Sequence, residues 1–186
     1  MTARPAAHAD RLVATGWTML LGFLALTQTA HLIEHVAQMV QIHVLHLSGA
    51  SALGIVGQLN IEWVHFIWNA LVLVTLLVLV PRFRTNPWLI AVTPLAAWHF
   101  VEHSVMIATY IQTGISGTPG LLSSGGLLFG GLPIARPDLH FLYNLVETAP
   151  LLVAWLVEIR RAYRRRPPRE RKSESRTRNP IAISIA

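Results

Sequence analysis

Four long apolar runs lie along the chain, near residues 12–42, 61–80, 88–112 and 139–159. Each can cover a hydrocarbon core of about 30 Å, which takes roughly 20 helical residues. The polar residues inside these runs are not scattered. At about 100° per residue, His31, Glu34, His35 and Gln38 fall on one stripe of the first run. His99, Glu102 and His103 make the same stripe on the third. Glu62, His65 and Asn69 share a face of the second, and His140, Asn144 and Glu147 share a face of the fourth. The pattern predicts four membrane-spanning helices, each with an apolar face for lipid and one polar stripe turned inward.

The stripes repeat. "HLIEH" at 31–35 matches "HFVEH" at 99–103, and "VHFIWN" at 64–69 matches "LHFLYN" at 139–144. Two helices per unit insert in the same orientation. The expected fold is therefore an all-α integral membrane protein. It is a four-transmembrane-helix bundle built from two parallel two-helix repeats, about 12–80 and 88–159, around a pseudo-two-fold axis along the membrane normal. Counted from the inner helix ends at about 1.5 Å per residue, the His and Glu side chains lie roughly 15–30 Å deep. They form one polar layer in the bundle core.

Composition agrees. The 186 residues are 53% hydrophobic and 13% charged, a balance suited to a single membrane domain. The absence of cysteine excludes disulfides, thiolate metal sites and cysteine nucleophiles. Most of the net charge of +6 lies after Glu158, in "IRRAYRRRPPRERK". Directly after an apolar helix, such a run reads as an anchor on anionic membrane lipids rather than a nucleic-acid site. Arg4, Arg11 and the linker "PRFRTNP" at 81–87 add positive charge at the same end. The positive-inside rule then puts both termini in the cytoplasm of a bacterial-type inner membrane, with the loops 43–60 and 113–138 outside. The chain divides into a cytoplasmic N-terminal segment 1–11, a membrane domain 12–160 and a basic disordered tail 161–186. The 113–138 loop is glycine-rich yet apolar, and reads either as a lid or re-entrant segment on the bundle or as a flexible interfacial loop.

Burying this layer is costly. A charged side chain at mid-bilayer costs on the order of 2.5–3.5 kcal/mol. Two divalent metal ions would take neutral imidazoles and carboxylates as ligands and convert that cost into binding energy. The expected nitrogen ligands are His31, His35, His65, His99, His103 and His140. Glu34, Glu102, Glu62 and Glu147 are expected to bridge or cap the ions, with Glu34 and Glu102 as the catalytic pair. Gln38, Asn69 and Asn144 are expected to orient the ligands. Nitrogen and oxygen donors without sulfur favour iron, with copper and zinc as alternatives.

Two motif-bearing helices opposed by two others resemble the logic of carboxylate-bridged di-iron bundles. The histidine content is similar to that of the membrane histidine-box di-iron enzymes, although their His-x-x-x-His and His-x-x-His-His boxes are absent. His-x-x-Glu-His also resembles the zinc motif of inverzincin peptidases, which implies Glu34 and Glu102 as bases. The expected function is a dinuclear metal oxidoreductase that activates dioxygen or passes electrons, with a lipidic substrate and an unidentified electron donor. The rivals are a zinc-dependent intramembrane hydrolase, a proton or metal-ion transporter, a haem-binding membrane subunit and a purely structural network. Cutting the chain after Pro168 is expected to leave helix content and metal content unchanged. Circular dichroism and elemental analysis of the truncated protein check this, and a loss of metal would give the tail a role in the site.

Overall fold

The computed structural model describes residues 3–57 and 61–164, and of residues 3–12 the backbone alone. From residue 165 on, the tail expected to be disordered lies outside the described residues. The architecture is four helices: α1 (Ala3–His43), α2 (Glu62–Leu79), α3 (Pro87–Thr113) and α4 (Arg136–Arg164). Helices α2, α3 and α4 are long and apolar enough to cross a membrane. Helix α1 begins at Ala3, not near residue 12, so the expected N-terminal segment is part of it. Ala3, Ala6, Ala7 and Ala9 are strong helix formers, and Pro5 falls in the first turn, where its missing N–H is not needed.

Helix α1 packs along α4, and α2 along α3. Helix α3 also packs on α4, whereas α1 and α2 touch only lightly. The order around the bundle is therefore α1, α2, α3, α4. The first helix of each half lies against the second helix of the other.

The bundle has two storeys. The half nearer the termini is a dry core of Leu21, Leu24, Ala25, Val72, Leu76, Leu79, Leu89, Val92, Ala96, Leu151 and Ala154, flanked by Trp17 and Trp155. The half nearer the two long loops holds the polar layer. Outside, the surface is apolar: Phe23, Leu26, Ile67, Leu71, Val74, Ile90, Val101 and Leu145 are all exposed. Hydroxyl groups on the helices bond back to their own backbone. Thr18, Thr29, Thr93, Ser104 and Thr109 each donate to the carbonyl four residues earlier, which leaves no free donor for an apolar solvent to meet.

Asn86 closes the termini end. It is fully buried, and its Oδ1 accepts from Leu89 N at 3.4 Å as the N-cap of α3, with Pro87 in the first turn. Its Nδ2 donates to Ala154 O at 3.0 Å and to Glu158 Oε1 at 2.9 Å on α4. Arg161 neutralises that carboxylate at 2.6 Å. One side chain thus starts a helix and ties it to its neighbour. Asn86→Ala is expected to cost about 2 kcal/mol, from the lost cap and the lost buried hydrogen bonds to Ala154 and Glu158. Thermal unfolding in mild detergent reads this as a lowered midpoint, and an unchanged midpoint would refute the role.

Candidate metal centre

All thirteen polar residues expected in the layer are buried: His31, Glu34, His35, Gln38, Glu62, His65, Asn69, His99, Glu102, His103, His140, Asn144 and Glu147. The fold brings the six histidines together as two triads. His31 and His35 of α1 meet His65 of α2, and His99 and His103 of α3 meet His140 of α4. Within each triad, one nitrogen from every ring lies within 4.8 Å of the others. The triads adjoin. His65 stacks on His103 at 5.5 Å between centroids, and His35 and His140 meet at 4.9 Å.

The ring nitrogens are oriented as a metal site requires. His35 Nδ1–H donates to Gln38 Oε1 at 2.7 Å, and that amide is itself oriented by Gln38 Nε2 donating to Ala52 O. His65 Nδ1–H donates to Ile61 O at 3.3 Å, and His99 Nδ1–H to Glu147 Oε1 at 2.8 Å. Each acceptor is an oxygen that can only accept. In a neutral imidazole this places the proton on Nδ1 and the lone pair on Nε2. Those lone pairs face other ring nitrogens. His35 Nε2 lies 3.2 Å from His31 Nε2, and His103 Nε2 lies 3.1 Å from both His99 Nε2 and His140 Nε2. A single N–H serves only one such contact. Three imidazoles bound at about 2.0–2.1 Å to a tetrahedral ion have nitrogens about 3.3 Å apart, close to the spacing here.

The carboxylates divide differently from the sequence expectation. No carboxylate oxygen joins either triad among the described residues. Glu34 and Glu102 turn to the loops. Glu34 Oε1 accepts from Val56 N at 2.8 Å, and Glu102 Oε1 accepts from Leu121 N and Leu122 N at 2.9 and 3.2 Å. In each case one carboxylate oxygen is given to the loop, and Glu102 Oε2 is left buried without a hydrogen-bond partner. Glu62 sits at the rim, paired with Arg136 at 2.8 Å and accepting from Gly117 N. Glu147 alone contacts a triad histidine, and it does so through the ring's outer nitrogen. Asn69 and Asn144 donate to His65 O and His140 O at 2.9 Å each, bracing the turns that carry those ligands.

The halves make matching contacts. His31 faces Trp68 as His99 faces Tyr143, each on its own unit's second helix. Three participants escaped sequence reasoning. Gln28 is fully buried and donates to Asn144 Oδ1 at 3.0 Å while accepting from Trp68 Nε1 at 2.9 Å. Its place three residues before His31 on the same stripe was the available signal. Arg136, the first residue of α4, neutralises Glu62. Gly54 and Gly120 are the third case, at the loop contacts described below. His43, outside the layer, pairs with Asp138 at 2.6 Å near the loop end. A vestibule of about 540 Å³ opens at that end and reaches His35, His65 and His140 past Glu62 and Arg136.

The glycine-rich loop lies on the bundle. It is pinned by Glu102 and Glu62 and folded on itself through a Gly126–Gly130 bridge. Of the two readings open in the sequence, packing as a lid describes this contact. Gly54 and Gly120 have φ of +78° and +72°, and a Cβ there would stand 2.3 Å from Glu34 Oε1 and 2.5 Å from Glu102 Oε1. Comparison with protein-family models, curated proteins and solved structures gave no match, so the chemistry rests on these contacts. Gly120→Ala is expected to break the Glu102 anchor, because the carboxylate cannot retreat without losing two amides. Hydrogen exchange at Leu121 and Leu122 should then accelerate while the helices stay protected, and unchanged exchange would refute the anchor.

Proposed function

We propose that the protein is a membrane-embedded oxidoreductase whose two histidine triads hold a pair of redox-active metal ions, with copper favoured over iron. The observation that carries this reading is the set of Nδ1–H donations by His35, His65 and His99. These leave the Nε2 lone pairs of His35 and His99 facing another ring nitrogen at 3.2 and 3.1 Å. Hydrogen-bonding histidines in a structural network would have no need for that alignment. The outer face of α1, with Phe23, Leu26, Ile33 and Val36 exposed, supports α1 as a fourth span beside α2, α3 and α4.

Ligand chemistry and charge favour copper. Dinuclear iron in helical bundles relies on bridging carboxylates, and Glu34 and Glu102 are engaged with loop amides. An all-imidazole set suits copper and zinc. Two adjacent doubly charged ions would bring four positive charges into this layer, and Glu147 is the one carboxylate bonded to a triad histidine among the described residues. Singly charged ions cut their mutual repulsion to about a quarter, and copper has that state where zinc does not. Two neighbouring one-electron ions also supply two electrons at one place, as a two-electron oxidation or reduction requires.

The rival readings fare less well on the same geometry. A zinc hydrolase of inverzincin type needs Glu34 or Glu102 beside the zinc, and neither carboxylate joins a histidine triad among the described residues. A transporter needs polar groups through both storeys, and the termini half is filled by leucine, valine and alanine. Haem needs a flat slot between opposed histidines, and the six rings touch one another at 4.5–5.6 Å between centroids.

Elemental analysis with a visible spectrum, on protein purified in mild detergent without chelators, tests the reading. About two copper or iron atoms per chain are expected, one for each triad. His103→Ala should lose metal, and Glu102→Gln should keep it. Zinc alone would overturn the redox assignment, and equal loss in both variants would make Glu102 a ligand after all.

A further inference from the structure

The two halves differ at one place that bears on access to the site. Between α1 and α2 lies a cleft of about 390 Å³ whose walls are almost wholly apolar. Ile33, Ile55 and Val56 stand exposed at its mouth, Ala30, Val64 and Trp68 line it, and His31 of the first triad lies at its wall. Its volume is that of a ligand pocket, within the usual range of about 300–1,000 Å³. It opens sideways, onto the same apolar outer surface that carries Leu26, Ile67 and Leu71. The polar vestibule at the loop end is a separate opening, lined by His35, His65, Glu62 and Arg136.

The other half carries bulkier side chains at the matching positions. Matching His31 with His99 and His65 with His140 sets Ala30 against Trp98 and Trp68 against Tyr143. Trp98 reaches across from α3 and donates its Nε1–H to Tyr143 Oη on α4 at 3.0 Å. An indole thus stands at the position matched in sequence by the small Ala30 of the first half. The packing follows, with α3 close on α4 while α1 and α2 touch only lightly.

We infer that the α1–α2 cleft is a lateral binding site for the hydrocarbon chain of a bilayer lipid, which brings that chain to the His31 side of the metal pair. The occupant follows from the setting. An apolar cleft that opens on an apolar surface at the depth of a membrane meets acyl chains before anything else. Burying a chain there gains little over leaving it among other lipid chains. The site therefore selects by shape and by proximity to His31 rather than by affinity. The inference rests on the dinuclear reading for its chemistry but not for its binding. The first triad becomes the substrate side, and the second, closed by Trp98 and Tyr143, becomes the side without chain access.

The test is photolabelling in phosphatidylcholine nanodiscs that contain a phospholipid with a diazirine in its acyl chain, mapped by peptide mass spectrometry. Wild-type protein should label at residues 27–34 and 64–68 on the cleft walls as well as on the outer surface. Ala30→Trp, which copies the other half, should lose the cleft labels and keep that at Leu71. Trp98→Ala should gain labels beside His99, and it serves as the independent variant if Ala30→Trp fails to fold. Metal content measured on the same samples separates the two readings, since cleft labelling of a metal-free protein upholds the chain site while the metal pair falls. Cleft labels that persist in Ala30→Trp, or a Trp98→Ala protein with no new labels, would overturn the inference.

Discussion

An imidazole buried among apolar helices must have both of its nitrogens met, and the upper half of this bundle is arranged around that demand. Three rings give their Nδ1 proton to a fixed oxygen: the Gln38 amide, the Ile61 carbonyl and the Glu147 carboxylate. The opposite nitrogen then has a lone pair and nothing but other histidines to face. While it holds only protons, the second triad must share the single His103 Nε2 position between His99 and His140, and one N–H serves only one of those contacts well. A cation at the shared point resolves the conflict for all three rings of a triad at once. His103 Nδ1 and Glu102 Oε2, both buried without a hydrogen-bond partner, add to the polar cost that binding would have to offset.

The loops follow from the same constraint. A carboxylate on a His-x-x-Glu-His stripe cannot face lipid, and the spacing that brings the two histidines inward brings the glutamate inward with them. Glu34 and Glu102 are met by backbone amides of the segment after each helix, and glycine at 54 and 120 lets that backbone come close enough. The long connections are thereby drawn down over the histidines. The motif that supplies ligands also supplies the anchor for their cover.

Helical periodicity made the burial of the thirteen polar residues and the convergence of the six histidines readable from the sequence, because a stripe at 100° per residue in an apolar run has one physical outcome. The destination of each carboxylate was not readable. Glu34 and His35 share a stripe, and what separates their roles is a loop amide at Val56, whose approach depends on the path of residues 44–57 rather than on any spacing. Gln28 was invisible for a similar reason. Its partner Asn144 lies on another helix, 116 positions away, and one glutamine near the middle of an apolar run looks like an isolated polar residue until α4 is packed against it.

Near-symmetry makes the remaining differences informative. The halves agree in the paired histidines, the bracing asparagines and the loop-bound glutamates, the parts that could hold an ion and cover it. Where they differ, each change alters the surroundings of one triad only. Glu147 gives negative charge to His99 of the second triad, and helical matching puts Val72 in its place in the first half. A carboxylate bonded to a ligand imidazole raises the electron donation of that ligand and favours the higher oxidation state of its metal. The first triad has instead the apolar cleft beside His31 and the vestibule beside His35 and His65. The second is thus the electron-rich, sterically closed site, and the first the open one. That division of labour is expected of a metal pair in which one ion meets the substrate and the other stores charge, and a symmetric structural network would have no use for it.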